Sequence, residues 1–350
     1  MVISCLVSII TPIRYPYNKM QKHSQLNLAD QFFHPGKQKT RTAEFLDRMN
    51  QVIDWQPLVD IVGVLDRSGT KKGGRPRHDM LIMVKSMFLQ HFYGLSDPQL
   101  EELLNDRLSF QQFVGLSMAD KAPDFTSFWH FKDELAKAGL TDRLFEEVNR
   151  QLSAKGLFVR KGTIVDATMV ESTNRPMKKE KQQSEDVKSN RQYDTQARST
   201  KKGNRYYFGY KGHIGMDMES KLINKRIFTP ANQHDSNYTE ALADMDSQAL
   251  FGDKGYADDR IKKMAREFGW YYGIQDKAYR NRALSRSQHR RNSKLGQIRS
   301  VVEHPFAWMK TQSKALKAGA RSQVKNAVIF DFCCMCWNLK QAGLLLAKGP

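Results

Sequence analysis

The run "GTIVDATMV", residues 162–170, is the most restrictive stretch of this chain. It is almost continuously apolar and rich in β-branched side chains, so it reads as a strand covered on both faces, which demands structural layers above and below it. One carboxylate, Asp166, interrupts it. An ionised acid in such a setting costs several kcal/mol unless it is paired or binds a metal. A fold that keeps this strand must therefore also supply Asp166 with a partner.

The texture on either side of the run differs. From His78 to about Gly156 the pattern is helical: "DMLIMVKSMFLQHFYGL" is followed by Ser96 and Gln99 at capping-box spacing. "DFTSFWHFKDELAKAG" and "LTDRLFEEVNRQLSAKG" each close on a glycine. "FTSFWHFKDEL" suits the groove-entering helix of a helix-turn-helix, while Phe125, Phe128, Trp129 and Phe131 suit a core equally well. Residues 1–77 read as an N-terminal extension and a linker ending in "GTKKGGRPRH", with 1–19 an upstream addition ahead of Met20.

Beyond Gly162, "YYFGYKGHIGMD" alternates, with Tyr206, Phe208, Tyr210, Ile214 and Met216 on one face and Lys211, His213 and Asp217 on the other, predicting a half-buried strand. "KLINKRIFT" completes a hairpin, and "ALFGDKGY" and "WYYGIQD" read as strands around the helix "ADDRIKKMAREFGW". The order predicts an α/β domain with a mixed sheet over 157–346, preceded by a small all-helical domain over 78–156. Inside the larger domain a basic loop is expected at 175–205. Between Arg175 and Lys211 there are 11 basic and 4 acidic side chains and almost no aliphatic ones.

Charge narrows the partner. Lys plus Arg number 56 against 37 Asp plus Glu, a formal net charge of +19. Such an excess concentrates polyanions, which makes nucleic acid the natural partner. The opening "MVISCLVSII" is too short to span a bilayer, and no Gly-x4-Gly-Lys-Ser/Thr loop suggests a nucleotide motor. Of the four cysteines, Cys5 stands alone and Cys333, Cys334 and Cys336 crowd one apolar segment without ligand spacing, as buried thiols in a reducing compartment do.

On a helix at about 100° per residue, "QIRSVVEHPFAWMKTQ" gathers Ile298, Val301, Val302, Pro305 and Met309 into a core stripe, while Arg299, Glu303 and Lys310 share another side. An Arg299–Glu303 ladder on the surface explains that side if the helix is taken alone. Asp166, Asp253 and Glu303 together, however, are three acids on three elements. Carboxylate oxygens are the ligands that magnesium and manganese prefer, and two such ions serve phosphoryl transfer. Glycines on both sides of Asp253-Lys254 would let a phosphate backbone approach.

These residues resemble the DDE transposases of bacterial insertion sequences, in the family called insertion sequence five, close to insertion sequence four. The similarity runs from about Gln25 to Ala342 through ordered blocks that include "GTIVDATMVES", "FGYKGHIGMD", "TPANQHDS", "GDKGY" and "VEHPFAWMK". The resemblance implies a ribonuclease-H-like catalytic domain with Asp166, Asp253 and Glu303 as catalytic, metal-binding triad and two Mg2+ or Mn2+ ions as cofactor. It implies that Arg299 and Lys310, in an R-x3-E-x6-K signature, hold DNA phosphates; Lys211 and His213 also fall in family blocks and are read as DNA contacts, the alternative being a histidine bonded to a neighbouring carboxylate that fixes local structure. The signature's usual tyrosine three residues before the arginine is replaced by Gly296, and Pro305 predicts a helix that starts or kinks near His304.

The implied activity is binding of terminal inverted repeats, 3′-end cleavage and strand transfer into target DNA by a homo-oligomer in the bacterial cytoplasm, without ATP. A decayed DNA-binding copy and a stand-alone nuclease of the same fold are the alternatives.

Overall fold

Four of the seven α-helices described in the first half start where a side chain caps them. In the computed structural model, which describes residues 39–66, 77–117, 119–174, 176, 194–314 and 316–347, Thr40 caps α1 (Arg41–Val52) and α2 spans Gln56–Val62. Asp79 caps α3 (Met80–Tyr93), and Ser96 caps α4 (Asp97–Asp106) in the full capping box with Gln99 that the spacing predicts. After α5 (Leu108–Val114), Asp124 caps α6 (Phe125–Ala138), which ends on the left-handed Gly139 and leads directly into α7 (Leu140–Ala154). Cys5, most of the linker before Arg77 and residues 177–193 of the basic loop lie outside the described residues.

The aromatic residues of α6 divide between core and surface. Phe128 and Phe131 are buried, whereas Phe125 and Trp129 are about half exposed, at 48% and 50%. α1 and α2 lie in the stretch expected to be extension and linker, yet Leu46, Met49, Leu58 and Val62 are fully buried.

The sheet follows: β1 (Thr163–Ser172), β2 (Arg198–Lys202), β3 (Arg205–Asp217), β4 (Ile223–Pro230), the short α8 (Thr239–Leu242), β5 (Ala249–Gly252), α9 (Asp259–Glu267) and β6 (Tyr271–Ile274). α10 (Arg286–Arg299), a single 3-10 turn at Ser300–Val302, α11 (Glu303–Thr311), the two-residue β7 (Lys317–Ala318) and α12 (Gln323–Ala347) complete the chain. The order across the sheet is β2-β3-β1-β5-β6, with β4 also on β3 and β7 on the end of β1. β1, β3 and β4 pair antiparallel, while β1, β5 and β6 pair parallel, so the mixed sheet expected from the element order is present.

β1 is central, and its alternate residues feed two cores. Ile164 joins Ile214, Met216 and the apolar faces of the helices, including Phe88, Phe128, Phe332 and Cys333, in one continuous core. Val165 points the other way and packs with Leu250, Tyr256, Ile261 and Ile274. Coverage on both faces is what its nearly unbroken apolar run requires. α12 runs through the larger core and buries all three of its cysteines as free thiols. Among the described residues no helix is long and apolar enough to cross a membrane.

Two readings of the sequence need correction. β3 is not half-buried, because from Tyr210 to Asp217 every residue but Lys211 is buried; the second layer covers the face that carries His213 and Asp217. Asp217 is consumed internally, accepting hydrogen bonds from the backbone of Arg160, Glu219 and Ser220. The basic stretch is also not all loop. Arg198–Lys202 pair in register with residues 205–209 across a two-residue turn at Gly203 and Asn204. Gly203, at φ 61°, supplies the conformation that the first turn position needs, and this local chemistry outweighs the polar composition.

Candidate active site

The parallel register of β1 and β5 brings two acids together. Thr163 lies opposite Leu250 and Ile164 opposite Phe251, and two residues further along the same register Asp253 falls beside Asp166. Asp253 sits where β5 ends and caps the 3-10 turn Lys254–Tyr256 by accepting a 2.7 Å bond from the Gly255 N–H. A side chain at residue 255 would stand 2.9 Å from that carboxylate oxygen, which accounts for the second glycine of "GDKGY". The first, Gly252, is buried between Ile274 and Val165, so it serves sheet packing rather than the approach of a ligand.

The third acid arrives from the far end of the chain. α10 ends at Arg299, the 3-10 turn intervenes, and α11 starts at Glu303 with Pro305 in its first turn, where a missing N–H costs nothing. The helix therefore restarts at the place the proline predicts. Arg299 Nη1 donates to Asp166 Oδ2 at 2.6 Å, and Arg299 Nη2 lies 3.9 Å from Glu303 Oε1. Lys310, further along α11, is exposed and makes no ion pair among the described residues.

Asp166 has the partner its strand demanded, but not enough of one. Burial pushes its carboxyl up to about 6 from the ordinary 3.8; Arg299 and a bond from the Ala167 N–H pull it back, and Asp253 and Glu303 push it further up. One guanidinium thus faces three carboxyl groups. Tyr256 adds to the imbalance: its hydroxyl is buried without a hydrogen-bond partner, and burial, then Asp166, Asp235 and Asp253, hold its pKa well above the usual phenol range. Tyr256 belongs to the "GDKGY" block, and its spacing of one 3-10 turn from Asp253 is the sequence signal that it stands beside the acids.

A second polar cluster lies on the neighbouring strands. Lys211 Nζ donates to Asp235 Oδ1 at 2.8 Å and to the Gln233 carbonyl at 2.7 Å. His213 is fully buried and bonded to Thr229 Oγ1 at 2.8 Å; burial lowers its pKa to about 4, Lys211 adds to that and Asp235 opposes it. His213 therefore offers DNA no surface in this arrangement, and Lys211 is held by an acid.

Hard divalent cations suit this site by the chemistry of its donors, which are carboxylate oxygens with negative charge left uncompensated around a buried acid. Among the described residues, however, no three acidic, histidine or cysteine side chains already converge as a ligand cluster. Arg299 occupies Asp166 Oδ2, and the side chain of Glu303 is 60% exposed.

Residues 158–339 match the family described as a transposase DDE domain, and residues 34–134 match a transposase domain (DUF772). Among solved structures, a chain of a piggyBac transposase synaptic complex with hairpin DNA, determined by cryo-EM, is similar with a TM-score of 0.44 and 8% identity, over 88% of this chain and 75% of that one.

Proposed function

This chain belongs to the transposase DDE domain family, and from that premise we propose that it is an insertion-sequence transposase of the insertion sequence five group, with Asp166, Asp253 and Glu303 as its catalytic acids. The observation that carries the assignment is the short of charge, largely buried Asp166, flanked by Asp253 on the adjacent strand and tied through Arg299 to Glu303. The sheet order, with three antiparallel strands followed by two parallel ones, supports a ribonuclease-H-like arrangement for 157–346.

Asp166, Asp253 and Glu303 would hold one or two Mg2+ or Mn2+ ions, which when bound supply charge neutralisation at the phosphate and a more acidic water. The chain's own contribution is positional. Asp166 lies in β1 and Asp253 directly follows β5, its parallel neighbour, so the placing of their carboxylates starts from sheet register. Arg299 and the exposed Lys310 would bind the phosphates either side of the scissile one. A water oxygen attacks the phosphorus at the end of the element, the 3′ oxygen leaves, and that 3′ hydroxyl then attacks a phosphodiester of target DNA. Each exchange breaks one phosphodiester bond, and the second forms another, so no nucleotide triphosphate is consumed. The helical region of residues 78–156 would recognise the terminal inverted repeats, and synapsis of two ends would require a homo-oligomer.

The decisive measurement is cleavage, with magnesium, of duplex DNA copied from the flanks of the reading frame. Wild type is expected to nick at the 3′ ends, and Asp253→Asn to bind the same DNA without cutting it. Unchanged cleavage by Asp253→Asn would remove the acid from the site.

A further inference from the structure

The ribbon formed by β2 and the start of β3 has no role in the chemistry above. β1 accompanies β3 only as far as Gly209, so residues 205–208 pair with β2 alone among the described strands. Gly209 marks the root of this ribbon. Its φ is 151°, and a Cβ there would lie 2.2 Å from the Val170 carbonyl oxygen, so only glycine lets β3 pass β1 this closely.

Two features of the ribbon, its opposed cations and an exposed aromatic ring, are costly for a surface that meets only water. Lys202 and Arg205 stand directly opposite each other at its tip, a like-charged cross-strand pair that works against the hairpin. Tyr206 is 73% exposed, with Lys201 over its ring at 5.3 Å, and Arg205 lies over Tyr207 at 5.0 Å on the other face. Among the described residues a single acid, Glu171, reaches this group, at 3.3 Å from Arg205. Lysines on an edge strand also discourage strand pairing between copies, because an added β2 would bring cations against cations.

We propose that this ribbon is a DNA-contacting arm that lies in a groove of the duplex, its cations reaching the phosphates on both sides. The inference rests on the function proposed above. A two-stranded ribbon fits the major groove, and cations project from both faces of this one, Lys201 with Tyr206 on one and Lys202 with Arg205 on the other. Register locates the contact. Ile214 lies opposite Asp166, and Tyr206 is on the same face of β3 eight residues away, which is roughly 26 Å, or about seven to eight base pairs from the phosphate being cut. Polyanion binding would relieve the opposed charges at the tip and give the exposed tyrosine a surface to contact.

The test compares full-length wild type with Lys201→Gln/Lys202→Gln and with Tyr206→Ser on duplex DNA from the flanks of the reading frame, by binding across a salt series, hydroxyl-radical footprinting and cleavage. The three substituted residues, Lys201, Lys202 and Tyr206, are exposed, and thermal melting of each variant is expected to match wild type. The double variant should reduce the slope of log K against log salt by about 1.8, from two lost phosphate contacts at about 0.9 each. Protection should disappear about seven to eight base pairs from the cleavage position, at the distance set by the strand rise, and persist at the cut itself. Tyr206→Ser should weaken binding with the slope unchanged. If wild type binds and cleaves while the double variant keeps its slope and footprint, the arm is wrong and the transposase reading stands. If wild type neither binds nor cleaves, that reading fails and the arm with it. A double variant that changes only in sedimentation, from dimer to monomer, would assign the ribbon to self-association and overturn the proposal.

Discussion

Asp166→Asn should make the metal-free protein more stable while abolishing its cleavage. The ordinary carboxyl value of 3.8 is raised to about 6 in the fold, chiefly by burial. The side chain keeps only 14% exposure, so solvent does little to screen this effect. A carboxyl whose folded value is raised destabilises the fold once it ionises: the cost is absent below 3.8 and complete above 6. The size of that displacement corresponds to about 3 kcal/mol at pH 8 and about half of that at pH 5. Asparagine removes the charge but keeps an oxygen that can accept from Arg299, so most of the cost should be recovered. With an unfolding entropy of about 2.1 cal/mol/K per residue over 350 residues, 3 kcal/mol is a rise in Tm of about 4 °C. The assay is calorimetry in a chelator from pH 5 to 8, repeated with magnesium. The variant should melt higher at pH 8, the gap should narrow toward pH 5, and magnesium should raise the Tm of wild type only. A variant no more stable than wild type at pH 8, or a gap independent of pH, would refute the claim that Asp166 is an under-compensated buried acid.

Other perturbations separate stability from function. Lys85 is buried in α3 with its ammonium 5.3 and 5.4 Å from the rings of Trp55 and Phe113, and burial lowers its pKa from 10.5 to about 8. Its depressed value means the cost of the charge is complete below pH 8 and fades toward 10.5; Lys85→Met should therefore gain up to about 3 kcal/mol at pH 7 and lose the rise in stability that wild type shows between pH 8 and 10, read by urea unfolding. Asp331 on α12 pairs with Arg226 of β4 at 2.9 Å, both side chains 9% exposed, and Arg226 also holds Asp142 at 2.7 Å, so Asp331→Ala should destabilise by about 1–3 kcal/mol, the guanidinium keeping one exposed partner. The Tyr210 hydroxyl donates to both oxygens of buried Asp194, at 2.9 and 2.8 Å; Tyr210→Phe should cost about 1–3 kcal/mol in the same unfolding measurement.

Local chemistry explains what could be read without coordinates. Ser96 and Gln99 formed their capping box because both groups lie within one turn of the same helix. The strand at Asp166, the stop at Gly139 and the restart at Glu303 before Pro305 are likewise decided by residues a few positions apart. The three acids were legible because carboxylates in or beside apolar runs are anomalous, and the ordered blocks gave that anomaly a meaning. Lys211 and His213 were harder. Strand alternation placed them together on one face, but whether that face met solvent depended on which layer covered it.

The sequence by itself determined the local grammar of this protein: its capped helices, its two-faced central strand, its positive charge and the acids out of place in apolar surroundings, all set by interactions within a few residues. Tertiary structure alone decided that Arg299, 133 residues from Asp166, would be its counter-ion. It also buried His213, left Tyr206 in solvent and raised the Asp166 carboxyl to about 6. Burial and electrostatics depend on what arrives from distant parts of the chain, and a hydrophobic pattern specifies only that something must.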